Sequence, residues 1–183
     1  DEIAVIRSMW CHEGNHFPAV IETQTGHRGR AFDHPTFGSW VSYALGNANQ
    51  NLPAFVNLGR PSSPMQLTGG YLGASVAATP FQAGETPIPN LYPPKGGADR
   101  EQQMQWLHTM NQEFRERYAI NSDIQARARA YELAARMQLS APETVDFSHE
   151  PDHVKALYGI GENETEEFGK QLLLARRLAE RGV

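Results

Sequence analysis

His12, Glu13 and His16 stand in the order H-E-x-x-H. In a zinc protease that spacing puts two imidazoles one helical turn apart as metal ligands, with the carboxylate between them as general base. The chemistry requires the whole pentapeptide to be helical. Here Gly14 and Asn15 are poor helix formers and Pro18 follows two residues after His16. The proline predicts a helix beginning at residue 18, biases Phe17 away from helical backbone and leaves residues 9–16 as the loop leading in. The longer form of the zinc pattern asks for Gly at 19 and His at 22, where this chain has Ala19 and Glu22. His12, Glu13 and His16 are therefore candidate metal ligands on a strand-to-helix loop, the place where α/β proteins hold ligands. The plain alternative is that both histidines are hydrogen-bonded loop residues.

Arg7, at the end of the preceding apolar run, either faces an anion or is ion-paired structurally. His27, Arg28 and Arg30 form a small basic turn after the first helix, suited to gathering an anionic substrate or simply to solvating a loop. Asp33 and His34 carry the same two readings.

The elements that would position these residues follow from pattern. Ile3–Arg7 is short, apolar and rich in branched residues, which predicts a buried strand, and residues 18–25 predict a helix stopped by Gly26. Phe37, Trp40, Val41, Ala44 and Leu45 mark one face of a second helix capped by Gly46. Pro53–Leu58 predicts the next strand, so strand and helix alternate as in a parallel sheet covered by helices. Residues 59–97, rich in Gly, Pro, Ser and Thr, predict irregular structure that could line a site. The helix-rich half, 98–183, predicts helices over 100–118, 122–137 and 164–181. Its apolar stripes, Met104, Trp106, Leu107, Met110 and Phe114 on one helix and Tyr131, Ala134 and Met137 on the next, are read as core rather than as cofactor contacts.

The fold class expected is α/β, part of a doubly wound, mostly parallel sheet. Residues 1–183 are read as one segment of a larger domain, made of strand and helix units (1–58), an irregular region (59–97) and a helical region (98–183). With a strand near residue 1 and a helix stop at Gly182, the sheet is expected to have unfilled places, exposing edge strands and apolar surface that would favour oligomerisation, a homo-oligomer included, or a complementary chain.

Composition excludes some partners. The 16 basic against 21 acidic residues give a net charge of −5, and no basic stripe alternates with aromatics, which argues against nucleic acid. No apolar run is long enough for a membrane span. The single cysteine, Cys11, permits no intramolecular disulfide and no cysteine zinc cluster.

Several segments in order resemble a bacterial family known as domain of unknown function 1501. They are Val5–Trp10, Asn15-His16, Gln24–Gly26, Phe37–Gly46, Asn51–Val56, Tyr131–Gln138 and Leu173–Val183. The resemblance covers nearly the whole chain and implies a sulfatase-like member of the alkaline-phosphatase superfamily. In such a fold metal ions and a residue at the start of a helix act on phosphate or sulfate esters. Zinc, calcium or manganese would then be the cofactor, with no nucleotide cofactor. The substrate would be an anionic small molecule or a sulfated or phosphorylated glycan, and the protein would be exported, periplasmic or secreted.

When the sulfatase motif is slid onto the chain, Pro18 takes the motif's proline and Thr25-Gly26 its Thr-Gly, and His16 falls on the nucleophile position. Val20 replaces the motif's arginine, and Cys11 lies outside the required context, so a formylglycine mechanism is not supported. Residue chemistry then offers His16 as ligand, nucleophile or acid/base and Asn15 as an amide holding the anion, beside Arg7, His12 and Glu13 as candidate site residues. A non-catalytic binding or surface-associated protein that keeps the fold is the competing reading, and the absence of Cys, Ser or Thr at position 16 favours it.

Overall fold

A computed structural model describes residues 4–28, 33–61, 63–82, 88, 91, 100–117 and 122–183. In these the chain forms six α-helices and two short strands: α1 (His16–Thr25), α2 (Phe37–Leu45), β1 (Val56–Leu58), β2 (Thr79–Phe81), α3 (Arg100–Arg117), α4 (Ser122–Val145), α5 (Asp152–Leu157) and α6 (Glu166–Glu180). The strands pair in parallel, with Val56 opposite Thr79, Asn57 opposite Pro80 and Leu58 opposite Phe81. The architecture is a helix-rich α/β arrangement around a two-stranded parallel sheet.

The stop expected at Gly26 is present, and the start is set by a cap at Asn15. Asn15 caps α1, its side-chain oxygen accepting the Phe17 N–H at 3.1 Å, and Gly26 ends the helix at φ 72° with its N–H on the Glu22 carbonyl. The helix nevertheless starts two residues before Pro18. The first backbone bond of α1 is Ala19 N–H to Asn15 C=O, 3.0 Å, so Pro18 lies in the turn whose N–H groups have no helical acceptor and its ring removes no bond.

Two expectations about strands are corrected. Ala4–Arg7 is irregular, and Val5 and Ile6 are exposed. No described strand lies alongside to complete a ladder, and a lone branched run has no reason to stay extended. Conversely, the irregular stretch supplies β2, and the predicted strand over Pro53–Leu58 is reduced to β1. Thr79-Pro80-Phe81 reads as a break, but an edge strand tolerates a proline whose missing donor faces away from the ladder.

The core gathers where the sheet meets α4 and α6: Leu52, Phe81, Leu91, Met137, Ala141, Leu174 and Leu178, flanked by Val56, Leu58, Leu133 and Val183. Helix α4 runs on past Met137, through Pro142 to Val145, and its last carbonyls find an unusual partner. Arg177 of α6, 8% exposed, donates from Nε to Thr144 O at 2.9 Å and from one terminal nitrogen to Glu143 O at 2.7 Å. Its other terminal nitrogen pairs with Glu150 at 2.7 Å. A buried guanidinium thus satisfies two carbonyls that the helix end leaves without donors of their own. Glu150 also receives both its oxygens' bonds from Arg176, 2.8 Å each, and the Arg176 and Arg177 bonds hold its carboxyl below the usual range.

The apolar stripes of α2 and α3 do not form core. On α2 the buried residues are Ser39 and Ser42, while Phe37, Trp40, Val41, Tyr43 and Leu45 are exposed, Leu45 at 83%. The reason is close approach: an added Cβ at Gly38 would lie 2.3 Å from the Phe55 ring, and Ser39 Oγ bonds Thr36 Oγ1 and the Thr68 carbonyl, 3.0 Å each. The small face is the one that fits, and its hydroxyls are satisfied on burial. Trp106, Leu107, Met110, Phe114 and Tyr131 are likewise exposed, with Met137 the member of the α4 stripe that is buried. The side chain of Met104 lies outside the described set.

Candidate functional site

The best-connected polar group near the candidate residues is Glu22, on the second turn of α1. Its Oε1 accepts from His12 Nδ1 at 2.8 Å and from the His12 backbone N–H at 3.3 Å. Its Oε2 accepts from the Cys11 thiol at 3.2 Å and lies 3.7 Å from Arg28 Nε. These contacts fold the loop of residues 11–15 back over α1. The His12 hydrogen bond, with the Cys11 and backbone bonds and the Arg28 charge, lowers the Glu22 pKa from 4.5 to about 2 against the opposing effect of burial. The carboxylate is therefore ionised across the physiological range.

An ionised carboxylate at Oε1 can only accept, so His12 Nδ1 carries the proton. In the neutral ring that leaves Nε2 as the lone-pair nitrogen, the arrangement seen behind metal-bound and proton-transferring histidines alike. The indole of Trp10 packs against the imidazole, centroids 4.1 Å apart at 51°, further restricting ring rotation.

The other sequence candidates are placed differently. His16, expected in the loop leading in, is the first residue of α1 and is exposed. Asn15 spends its side-chain oxygen on the cap, leaving its amide donors free for an anion. Glu13 lies 3.8 Å from Arg28 Nε, and Arg7 is exposed. The pentapeptide His12–His16 is not helical, so the two histidines lack the one-turn spacing of an H-E-x-x-H site. Among the described residues no three His, Cys, Asp or Glu side chains group closely enough to hold a metal ion.

Arg28 of the basic turn is an ion-pair partner of Glu13 and Glu22 rather than a free anion hook; Arg30 lies outside the described residues. His27 stacks on His34, ring centroids 3.8 Å apart at 9°. Asp33 accepts from Thr68 Oγ1 at 3.1 Å, and Gly70 sits so near Asp33–Pro35 that an added Cβ would lie 2.4 Å from Pro35 N. The Asp33–Pro35 stretch is thus pinned to the Thr68–Gly70 turn.

The family described as "Protein of unknown function (DUF1501)" matches residues 1–183. The chain belongs to the DUF1501 family. No curated protein matches it, nor does any solved structure.

For this DUF1501 chain the residue that sequence reasoning passed over is Glu22. The motif comparison noticed it only as the wrong residue for a third zinc ligand. The available signal was its place six residues after a helix-start histidine, one turn and a half along α1, on the side to which the preceding loop must return. Among the described residues no helix is long and apolar enough to cross a membrane.

Proposed function

We propose that this DUF1501 chain contributes the helix-start loop of a sulfatase-like hydrolase of phosphate or sulfate esters, within a doubly wound α/β fold of the alkaline-phosphatase superfamily. The observation that carries the proposal is the His12–Glu22 pair at 2.8 Å, set beside the N-terminus of α1 with His16 exposed at its first position. Helix starts attract anions through their free N–H groups. A histidine oriented by an ionised carboxylate can deliver a proton to, or take one from, an ester or water oxygen. In this reading Asn15 and the α1 N-terminus hold the anionic group, His12 Nε2 moves the proton, and Glu22 fixes the ring. Arg7, which is exposed, is the cation assigned to the anion in this reading. The substrate is an anionic small molecule or a sulfated or phosphorylated glycan, and the protein works outside the cytoplasm.

A divalent cation, zinc, calcium or manganese, belongs to the proposal at the level of the superfamily. The donors described in this chain do not converge on a metal position, so no step is drawn through it.

The test is hydrolysis of 4-nitrophenyl sulfate and 4-nitrophenyl phosphate by the full protein and its variants. His12→Ala and Glu22→Gln should each lower kcat by about 100-fold while leaving the melting temperature within a few degrees of the parent. Absence of turnover on both esters would overturn the hydrolase reading. It would favour the second, a binding protein without catalysis, which the histidine in place of a hydroxyl or thiol nucleophile at position 16 supports. Casein hydrolysis lost on Glu13→Gln would instead revive the zinc-protease alternative.

A further inference from the structure

Away from α1, a cavity of about 220 Å³ opens at the carboxyl ends of the two parallel strands, lined by Gly59, Arg60, Gln82, Glu167 and Gln171. Ligands of open α/β sheets bind outside the carboxyl ends of the strands, and the backbone here builds that edge. The Gly59 N–H donates to the Phe81 carbonyl at 2.8 Å, extending the ladder one residue past β1, so Arg60 and Gln82 are the first side chains beyond the sheet. Gly59 has φ 85°, and an added Cβ would lie 3.2 Å from both polar atoms of the Gln171 carboxamide. The glycine leaves that amide its place in the wall.

The charges of the lining decide what fits. Arg60 and Glu167 share the cavity but are not paired with each other or with another described residue. The basic side chains of α6 and its C-cap are engaged: Lys170 with Glu166, Arg176 and Arg177 with Glu150, Arg181 with Glu143. A sulfate or phosphate bound to Arg60 would face the Glu167 carboxylate, and a simple cation would face the guanidinium. One cation, one anion and two carboxamides together are complementary to a ligand bearing both charges.

We propose that this cavity binds a small zwitterion with the chemistry of an α-amino acid or its polar derivatives. Its carboxylate lies on the Arg60 fork, its ammonium on Glu167, and a polar side chain exchanges hydrogen bonds with Gln82 and Gln171. Arg suits the first contact because its planar donors match a carboxylate bidentately. The volume, below the roughly 300 Å³ at which drug-sized pockets begin, sets the size. The proposal is independent of the ester chemistry assigned to α1.

Calorimetric and NMR titration of the full chain with glycine, L-serine and L-glutamine tests it, with acetate, methylammonium and sulfate as half-ligands. At least one amino acid should bind saturably below about 10 mM, and acetate and methylammonium about tenfold or more weaker. Arg60→Gln and Glu167→Gln should each weaken amino-acid binding by about tenfold or more. Both residues are exposed and have no ion-pair partner among the described residues, so unchanged melting temperatures will show that the variants are folded. The sign of Glu167→Gln is decisive. If it strengthens acetate and sulfate binding without weakening an amino acid, the cavity is a plain anion site and the proposal fails; it fails equally if none of the three amino acids saturates.

Discussion

Gly169→Ala is a substitution whose sign the structure reverses. Gly169 lies inside α6, where alanine is ordinarily better than glycine by about 1 kcal/mol. From sequence alone the change should stabilise the helix. In the fold an added Cβ would lie 2.1 Å from the Tyr158 carbonyl oxygen, 3.1 Å from its carbon and 3.3 Å from an Ile160 side-chain carbon. The oxygen belongs to backbone and cannot rotate aside. The surrounding turn is tied by Ile160 N–H to Lys155 O at 2.9 Å and by Thr165 Oγ1 to Gly159 O at 2.7 Å.

Relieving that overlap requires α6 and the Tyr158 turn to separate by about 1 Å, and overpacking of this kind costs about 1–3 kcal/mol, sometimes more. After the propensity gain is subtracted, a net loss of up to about 2 kcal/mol remains. Urea unfolding followed by circular dichroism should show a lower midpoint at an unchanged slope. Because α6 also carries Glu167 and Gln171, the displacement should weaken ligand binding at the strand-end cavity as well. A Gly169→Ala protein more stable than the parent by the roughly 1 kcal/mol that propensity alone predicts would refute the close α6–Tyr158 contact and with it the placement of the cavity wall.

The Glu22 carboxyl should titrate near its value of about 2 rather than 4.5, read by NMR of the labelled side chain, and His12→Ala should move it back up. Because the folded value is depressed, the stability it contributes is present in full above about pH 4.5 and is lost as pH falls through about 2. Glu22→Gln should remove that part of the acid-unfolding profile, and an unchanged profile would show that the carboxylate is not hydrogen-bonded as described. Arg177→Met should cost about 3 kcal/mol, since the α4 carbonyls of Glu143 and Thr144 lose charge-assisted donors, and Arg177→Lys should recover little because an ammonium cannot fork between them; chemical denaturation measures both. Asn15→Ala should lower stability by about 1 kcal/mol through loss of the α1 cap, whereas Asn15→Asp should retain it, checked by thermal melting of the two variants.

Local signals in the chain were reliable where the physics is local. Gly26 and Gly46 end their helices because a residue free to take positive φ closes the last turn. α2, α3 and α6 lie within two residues of their predicted bounds because good formers, caps and breakers act over one or two turns. Pro18 misled by two residues, since proline is harmless anywhere in the first turn and not only at its first position. β2 was illegible: three residues with a central proline become a strand only when β1 is there to pair with them.

The candidate site divides along the same line. Residue types pointed to a loop before α1, and the family came from the resemblance of several segments in order. That Glu22 is the carboxylate on His12, that Arg28 is already paired, and that Arg60 and Glu167 line one strand-end cavity depend on chain segments brought back on themselves. Burial was decided there too. An apolar stripe says only that a helix has a face to bury, and on α2 the serine and glycine face lay against Phe55 and Thr68 because small side chains allow the closer approach. Periodicity is a property of one helix, whereas the face that is covered is a property of what packs against it.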